Sequence, residues 1–322
     1  MKFSRVGGSK MEITGKKQKL RKNAFILFFL LPTLVCFCVF YLYPIATVVI
    51  SSFAKWDYTN LNDMQMYSFG HLFDNYKYIF EKYPYFWEGL RNSCIWALCG
   101  LVIQVPIATG VALVISKKCR GWKLARNIYV IPNIISSAAM GLIFLQLYNP
   151  KYGIINEIIR VFVPNFQDNV LFIPKVNMIA LTCAYIFFAG TNMIMVLGQI
   201  SAIPEEVREA ALLDGAKGWT LDRCIVLPLI KDTIKTISIL SVSAGFLLYN
   251  EVYFLTKGAA GTYSISYVIR ELAITSTRTQ FGRANAVAVI QILAGMLIIV
   301  FVNLLYSQLF KGKRIRRNGG QP

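Results

Sequence analysis

Histidine occurs once in 322 residues, at His71, and charged side chains make up only 16% of the chain. The lone histidine has no cysteine or carboxylate cluster beside it, which argues against a metal site there. It also leaves no Ser/His/Asp set for nucleophilic catalysis. No G-x-x-x-x-G-K loop followed by Ser or Thr is present to cradle nucleotide phosphates. The chain is therefore no ATPase by itself, and no cofactor is expected in it. Apolar stretches also lack the relay of carboxylates, arginine and histidine that a proton-coupled pump needs. Glu251 is the one charge near such a stretch, towards its outer end, and is expected to be structural. The seven cysteines form no disulfide framework. Cys36, Cys38, Cys94, Cys99 and Cys183 lie in apolar runs, where small packing residues are expected, and Cys119 and Cys224 lie in segments kept reducing.

What is abundant is hydrophobicity. Apolar residues reach 56% and the mean hydropathy is +0.51, against about 45–50% apolar and about 25% charged in soluble domains. Windows 24–53, 92–116, 127–149, 176–204 and 284–310 contain no Asp, Glu, Lys or Arg, and 236–250 is extended by 252–255 past Glu251. Each has about the length that crosses roughly 30 Å of hydrocarbon as a helix. A helix is required because the backbone must satisfy its own hydrogen bonds there. The expectation is an all-α polytopic membrane protein in a lipid bilayer, with six transmembrane helices at about 24–53, 92–116, 127–149, 176–203, 234–255 and 284–310. The first is too long for a signal peptide's apolar region, and no small-x-small site closes it.

The net charge of +18 could suggest nucleic acid, but its distribution says otherwise. Segments 1–23, 117–126, 201–235 and 311–322 hold 23 of the 34 basic residues and a net +16; the alternate set, 54–91, 150–175 and 257–283, holds a net +3. Positive charge stays on the cytoplasmic side, so both termini are expected inside. The basic balance is topology, and no nucleic-acid partner is expected. Residues 1–23 form a basic cytoplasmic segment, 24–310 the transmembrane domain and 311–322 a basic tail.

One inner segment is not simply basic. Residues 201–235 hold six acids against five bases. Pro204 can open a helix, because its missing N–H is unsatisfied there anyway. Glu205 and Glu206 then suit the positive end of the helix dipole. Val207, Ala210, Ala211, Leu213 and Asp214 continue a short amphipathic helix, and Gly215 can end it in the left-handed conformation. A second stretch, Thr220–Val226, leads into Leu227 and Pro228. This helix–turn–helix elbow, 204–228, reads as a docking surface: Ala210 and Ala211 permit close approach, and Arg208 and Glu209 offer charge. The plain alternative is a solvated connecting loop.

Glu209-Ala210-Ala211, three residues, Gly215, nine residues, then Ile225-x-Leu227-Pro228 reproduces all seven fixed positions of the E-A-A-x3-G-x9-I-x-L-P loop. On that motif the chain resembles the permeases of binding-protein-dependent ABC transporters. Asn75-Tyr76, Phe86-Trp87, Arg91-Asn92, Arg126-x4-Val130-Ile131-Pro132, Tyr148 to Gly153-Ile154-Ile155-Asn156 and Phe281-Gly282-Arg283-Ala284 are similar to the maltose-type sugar-permease branch, over roughly residues 24–310. One segment departs: the family commonly has Thr-x-Gly-Gly-Pro where this chain reads Thr256-Lys257-Gly258-Ala259-Ala260-Gly261.

The resemblance implies an importer subunit paired with a second, homologous permease, two ATP-binding subunits that hold ATP and Mg, and an extracellular solute-binding protein delivering a sugar or oligosaccharide. It implies that Glu205, Arg208, Glu209, Ala210, Ala211, Asp214, Gly215, Leu227 and Pro228 form the ATPase-coupling elbow. For a neutral polyol, hydroxyl, amide and aromatic partners suffice. The candidates for its path are Ser137, Tyr185, Phe188, Thr191, Asn192, Ser241, Tyr249 and Asn250, with Tyr185, Phe188 and Asn192 at i, i+3, i+7 on one helical face. Each could instead bond a neighbouring helix. A secondary transporter would show two similar halves and a buried coupling carboxylate; a channel or scaffold would need no such elbow; a membrane-embedded enzyme lacks its reactive groups.

Overall fold

The computed structural model describes residues 8–275 and 279–309. The basic tail 311–322 and residues 1–7 lie outside them. Helix α1 runs through Gly8–Phe37, a widened turn Cys38–Leu42 and Tyr43–Ser51. A two-residue hairpin follows, β1 (Ala54–Lys55) against β2 (Gln65–Met66), antiparallel with Ala54 opposite Met66. Helix α2 is Asp74–Glu81. Helix α3 is continuous through Phe86–Cys99, Gly100–Gln104 and Val105–Ser116. Then come α4 (Trp122–Ile134), α5 (Ser137–Leu147), α6 (Ile154–Phe162), α7 (Val176–Ile186) and α8 (Gly190–Ser201). The elbow is α9 (Glu205–Leu213) and α10, built from Trp219–Leu221, Asp222–Val226 and Leu227–Leu229. Helix α11 is Lys231–Phe246, α12 the widened turn Val252–Thr256, α13 Ile265–Arg270 extended by Glu271–Thr275, and α14 Phe281–Leu309.

Among the described residues three helices are long and apolar enough to cross a membrane: Arg21–Ser51, Phe86–Ser116 and Phe281–Gln308. Two bent helix pairs, α4 with α5 at 105° and α7 with α8 at 40°, are long and apolar enough only when each pair is taken together. The windows 127–149 and 176–203 are thus not single straight helices. Nor is 234–255: α11 stops at Phe246, and residues 247–249 are not helical. Three of the five widened turns among the described residues, Cys38–Leu42, Gly100–Gln104 and Asp222–Val226, share one cause. Each lies just before a proline: Pro44, Pro106 and Pro228. Proline has no N–H for the carbonyl four residues back and its ring crowds that oxygen, so the preceding turn opens by one residue.

Close crossings come from glycine. A Cβ on Gly245 would overlap the Trp96 carbonyl, and one on Gly100 would lie 2.7 Å from the Ser241 carbonyl, so α3 and α11 touch backbone to backbone. Without a hydrophobic driving force between helices in lipid, such small-residue contacts supply the attraction. The irregular segments are held by buried asparagines. Asn75 donates to Ser52 O and Ala54 O, Asn92 to Gly261 O and Tyr263 O, Asn156 to Asp168 O, and Asn177 to Ala260 O. Buried loop carbonyls need such partners. The cysteines do not pack inside: Cys99 is half-buried and the other six are exposed, on the outer faces of their helices or in the short turns.

Candidate functional site

Three helix interruptions meet at one place. Ser137 is the first residue of α5, directly after the break at Ile135 and Ser136, both extended. Phe188 lies in the break between α7 and α8, and Asn250 follows the break after α11. These three residues line a single narrow cleft together with Gly141, Phe144, Ala184 and Glu251. The breaks are stitched to one another. The Asn133 amide, with its nitrogen towards Phe188 O (3.0 Å) and Thr191 Oγ1 (3.1 Å), accepts from Gly190 N–H at 3.1 Å. Gly190 is required there, since a Cβ would lie 2.5 Å from both Tyr129 O and the Asn133 amide. Sequence reasoning missed Asn133 and Gly190; an asparagine after a helical proline was the available signal. It took Glu251 as structural; Glu251 is one of the residues that line the cleft.

The other sequence candidates fall elsewhere. Tyr185 Oη donates to Ser241 O at 2.6 Å, and Asn192 Nδ2 donates to Ser241 Oγ at 2.8 Å, all three side chains buried. Gln104 adds a bond from Nε2 to Tyr185 O at 3.3 Å. This group ties α7 and α8 to α3 and α11. Thr191 is bound to Asn133 on an exposed face. Tyr249 stacks on Tyr253 (5.6 Å, 12°) and Tyr267 (6.4 Å, 29°) outside the cleft lining. The expected common face of Tyr185, Phe188 and Asn192 does not exist, because the helix breaks between Ile186 and Gly190 and the i, i+3, i+7 rule fails across a 40° bend.

The elbow is well formed. Pro204 sits one position earlier than the first helical residue, as the N-cap, and Glu205 and Glu206 fill the first turn. At the other end Gly215 adopts φ +83°, with Ala216 N–H on Ala211 O (2.9 Å) and Gly215 N–H on Leu212 O (3.1 Å). That pair of bonds is the Schellman closure, which a Cβ at Gly215 would strain. Glu205, Glu209, Ala210 and Asp214 are exposed, Arg208 is partly covered, and Ala211 is buried. Among the described residues no ion pair engages Glu209. Two apolar side chains flank the turn in the open: Leu213 is 90% exposed and Trp219 64%. The sequence reading had placed Leu213 in the amphipathic helix without assigning it a role, and had passed over Trp219.

The second arm is rooted differently. Val226 and Ile230 pack with Ala108, Ala112 and Ile115 of α3 and Val196 and Ile200 of α8. Leu227 is partly buried against the same group, and Pro228 is exposed. Asp222 is buried and pairs with Lys117, at the end of α3, at 2.7 Å.

A family model described as binding-protein-dependent transport system inner membrane component matches residues 104–315. A probable ABC transporter permease protein of Pyrococcus horikoshii is 28% identical over 279 residues, 86% of this chain and 93% of that one. The multiple sugar-binding transport system permease protein MsmF of Streptococcus mutans is 25% identical, covering 88% and 94%. The lactose transport system permease protein LacF of Rhizobium radiobacter is 29% identical, covering 72% and 76%. Among solved structures, a bacterial ABC transporter that imports the acidic polysaccharide alginate matches with TM-score 0.76 at 19% identity, over 91% of this chain and 98% of that one. A structure of bacterial alginate ABC transporter bound to its alginate pentasaccharide-loaded periplasmic protein matches with TM-score 0.75, over the same shares. At that identity these two establish a common fold.

Proposed function

The chain belongs to the binding-protein-dependent transport system inner membrane components, and on that premise we propose that it is the permease subunit of an ATP-driven importer for a sugar or oligosaccharide. The observation that carries the reading is the convergence of Ser137, Phe188 and Asn250 at three interrupted helices. Irregular backbone at membrane depth is tolerated only where protein buries it or where it lines a cavity. Transporters build solute sites from such discontinuous helices. The cleft is closed in this structure, with a volume of about 10 Å³, so a solute enters only when the helices part; its lining then offers a hydroxyl, an amide, an aromatic face and the Glu251 carboxylate to a hydroxyl-rich solute.

The architecture we propose has six spans with both termini cytoplasmic, on the charge asymmetry already described, in a bacterial cytoplasmic membrane. A second, homologous permease completes the pathway. In support, none of the apolar window of α1 is buried within this chain, so that window is open to a partner and lipid, while the end of the helix is buried at Ser51, which accepts from Asn285. The complex holds two ATP-binding subunits, carrying ATP and Mg, and the elbow of this chain seats in a cleft of one of them. Leu213 and Trp219 supply apolar anchors, Glu209 a charge, and Gly215 the bend. Closure of the ATPases would push the elbow, and the spans would pass between inward and outward openings around the cleft. An extracellular binding protein delivers the solute; one of the matched alginate importers was solved with such a protein.

The test is co-purification from the native membrane after gentle crosslinking. A second permease, an ATPase and a binding protein are expected. Recovery of the chain alone would overturn the importer reading. Within the complex, Glu209→Ala and Gly215→Pro should each lower ATPase recovery or transport; removing one partner of a desolvated interfacial pair costs about 2–5 kcal/mol. Normal transport in both variants would remove the elbow from the coupling role.

A further inference from the structure

The pair Lys117–Asp222 stands apart from the other ion pairs among the described residues. His71–Asp74 and Arg160–Glu157 are i, i+3 neighbours at the surface, whereas Lys117 and Asp222 join the end of α3 to the second arm of the elbow. The Asp222 residue is only 3% exposed. A buried carboxylate is costly unless paired, and an apolar residue of similar size is often as stable or more so. Its position is electrically favourable on both sides: Asp222 lies in the first turns of α10, and Lys117 at the carbonyl end of α3.

The placement matters because the elbow has two unequal arms. Arm α9 is exposed except for Ala211, which is buried, and Arg208, which is partly covered; arm α10 is seated in the bundle by Val226 and Ile230 and runs through Ile230 into α11. Motion of the elbow therefore reaches α11 through the chain itself, but reaches α3 only through side chains. Apolar side chains can slide past one another, while a charged pair at 2.7 Å is directional. Higher up, α3 and α11 touch at Gly100 and Ser241 and at Gly245 and Trp96, and α3 reaches Tyr185 through Gln104, beside the break that carries Phe188.

We infer that Lys117 is a positioning residue for transport: through Asp222 it clamps the elbow's second arm to α3, so that α3 and α11 respond to the elbow as one body and the cleft opens in step with ATP hydrolysis. The inference rests on the importer reading above and adds the joint that transmits the movement.

The experiment uses the whole importer in proteoliposomes, with its own binding protein and maltose, maltotriose and raffinose as radiolabelled probes, and measures solute moved per ATP hydrolysed. Lys117→Met keeps the apolar stem and removes the charge; it should lower that ratio about tenfold, while Lys117→Arg should stay near the wild-type value. If Lys117→Met is poorly recovered, the double variant Lys117→Met with Asp222→Leu, which restores an apolar contact, carries the measurement. A ratio that stays low in the double variant supports the clamp. A wild-type ratio in Lys117→Met, or its return in the double variant, reduces the pair to packing and overturns the inference. Failure of the wild-type chain to assemble with an ATPase, or to move any probe, defeats the importer or solute reading instead, which keeps the two failures distinguishable.

Discussion

Asn192 donates its Nδ2 hydrogen to Ser241 Oγ at 2.8 Å, so two side chains that a polar-residue scan places along a solute path satisfy each other. Both are buried, and Tyr185 closes the group on the Ser241 carbonyl. Hydrogen bonds between helices in lipid contribute about 0.6 kcal/mol on average and up to about 1.7 kcal/mol. Asn192→Ala and Ser241→Ala should each destabilise the chain by an amount in that range, with a double-mutant cycle showing coupling. The solute KM should stay within about twofold. Denaturation in detergent micelles and uptake assays check both; a large KM change with intact stability would return these residues to the solute path.

The cleft residues should behave the opposite way. Asn250→Ala or Ser137→Ala removes one hydrogen bond to a hydroxyl-rich solute, about 0.5–1.5 kcal/mol, and should raise the uptake KM by about two- to tenfold. Phe188→Leu should do likewise by removing the aromatic face. Stability should hardly move. Unchanged uptake in all three would show that the cleft is not where solute binds.

Segment 256–261 stores backbone strain. Lys257 and Ala260 both have left-handed φ, +51° and +53°, flanked by Gly258 and Gly261 in the same region. A side-chain-bearing residue in that conformation costs about 1–2 kcal/mol, and the bond from Asn177 to Ala260 O helps hold it. Ala260→Gly should therefore raise stability, by about 1 kcal/mol after glycine's own entropy cost. A lower unfolding midpoint would contradict the strain.

Gly245 sets the approach of α11 to α3. Gly245→Ala places a methyl group against the Trp96 carbonyl, and overpacking of this kind costs about 1–3 kcal/mol. The expected result is a lower unfolding midpoint. A neutral result would mean that the helices separate freely at this point.

Acid should loosen the hairpin loop. The Thr59 hydroxyl and amide both donate to Asp57, which holds its carboxyl below the ordinary value. A lowered folded-state pKa gives stability that is fully present above the unfolded pKa, about 3.9, and is lost as pH falls through the folded value. Protection of the Thr59 amide against exchange should fall below about pH 4 in wild type, and Thr59→Val, which loses the hydroxyl bond to Asp57 but keeps the amide one, should shrink that pH step. The same profile in both would assign the loosening to another group.

Much of the elbow was legible in the sequence. Its helix boundaries, its acidic first turn and the left-handed Gly215 follow from local rules, in which proline, paired glutamates and glycine act on the backbone within one or two turns. Leu213 and Trp219 were harder, because an apolar residue in a short helix is read as inward until packing shows that nothing covers it. The prolines were visible too: Pro44, Pro106 and Pro228 open the turn before them, whereas Pro32 and Pro132 lie within regular α-helix.

Composition and charge asymmetry determine that this chain meets lipid and supply the argument for its orientation, since both depend on residue type summed over long stretches. The seven-position motif likewise determines the family. Only the tertiary structure decided which polar residues are free. Tyr185, Asn192 and Ser241 differ little in type from Ser137, Phe188 and Asn250, but the first three find one another across close-packed helices. The second three stand at breaks where no regular partner exists. A hydrogen bond across helices depends on distance and angle between residues some 50 positions apart, and no local pattern of residues carries that geometry.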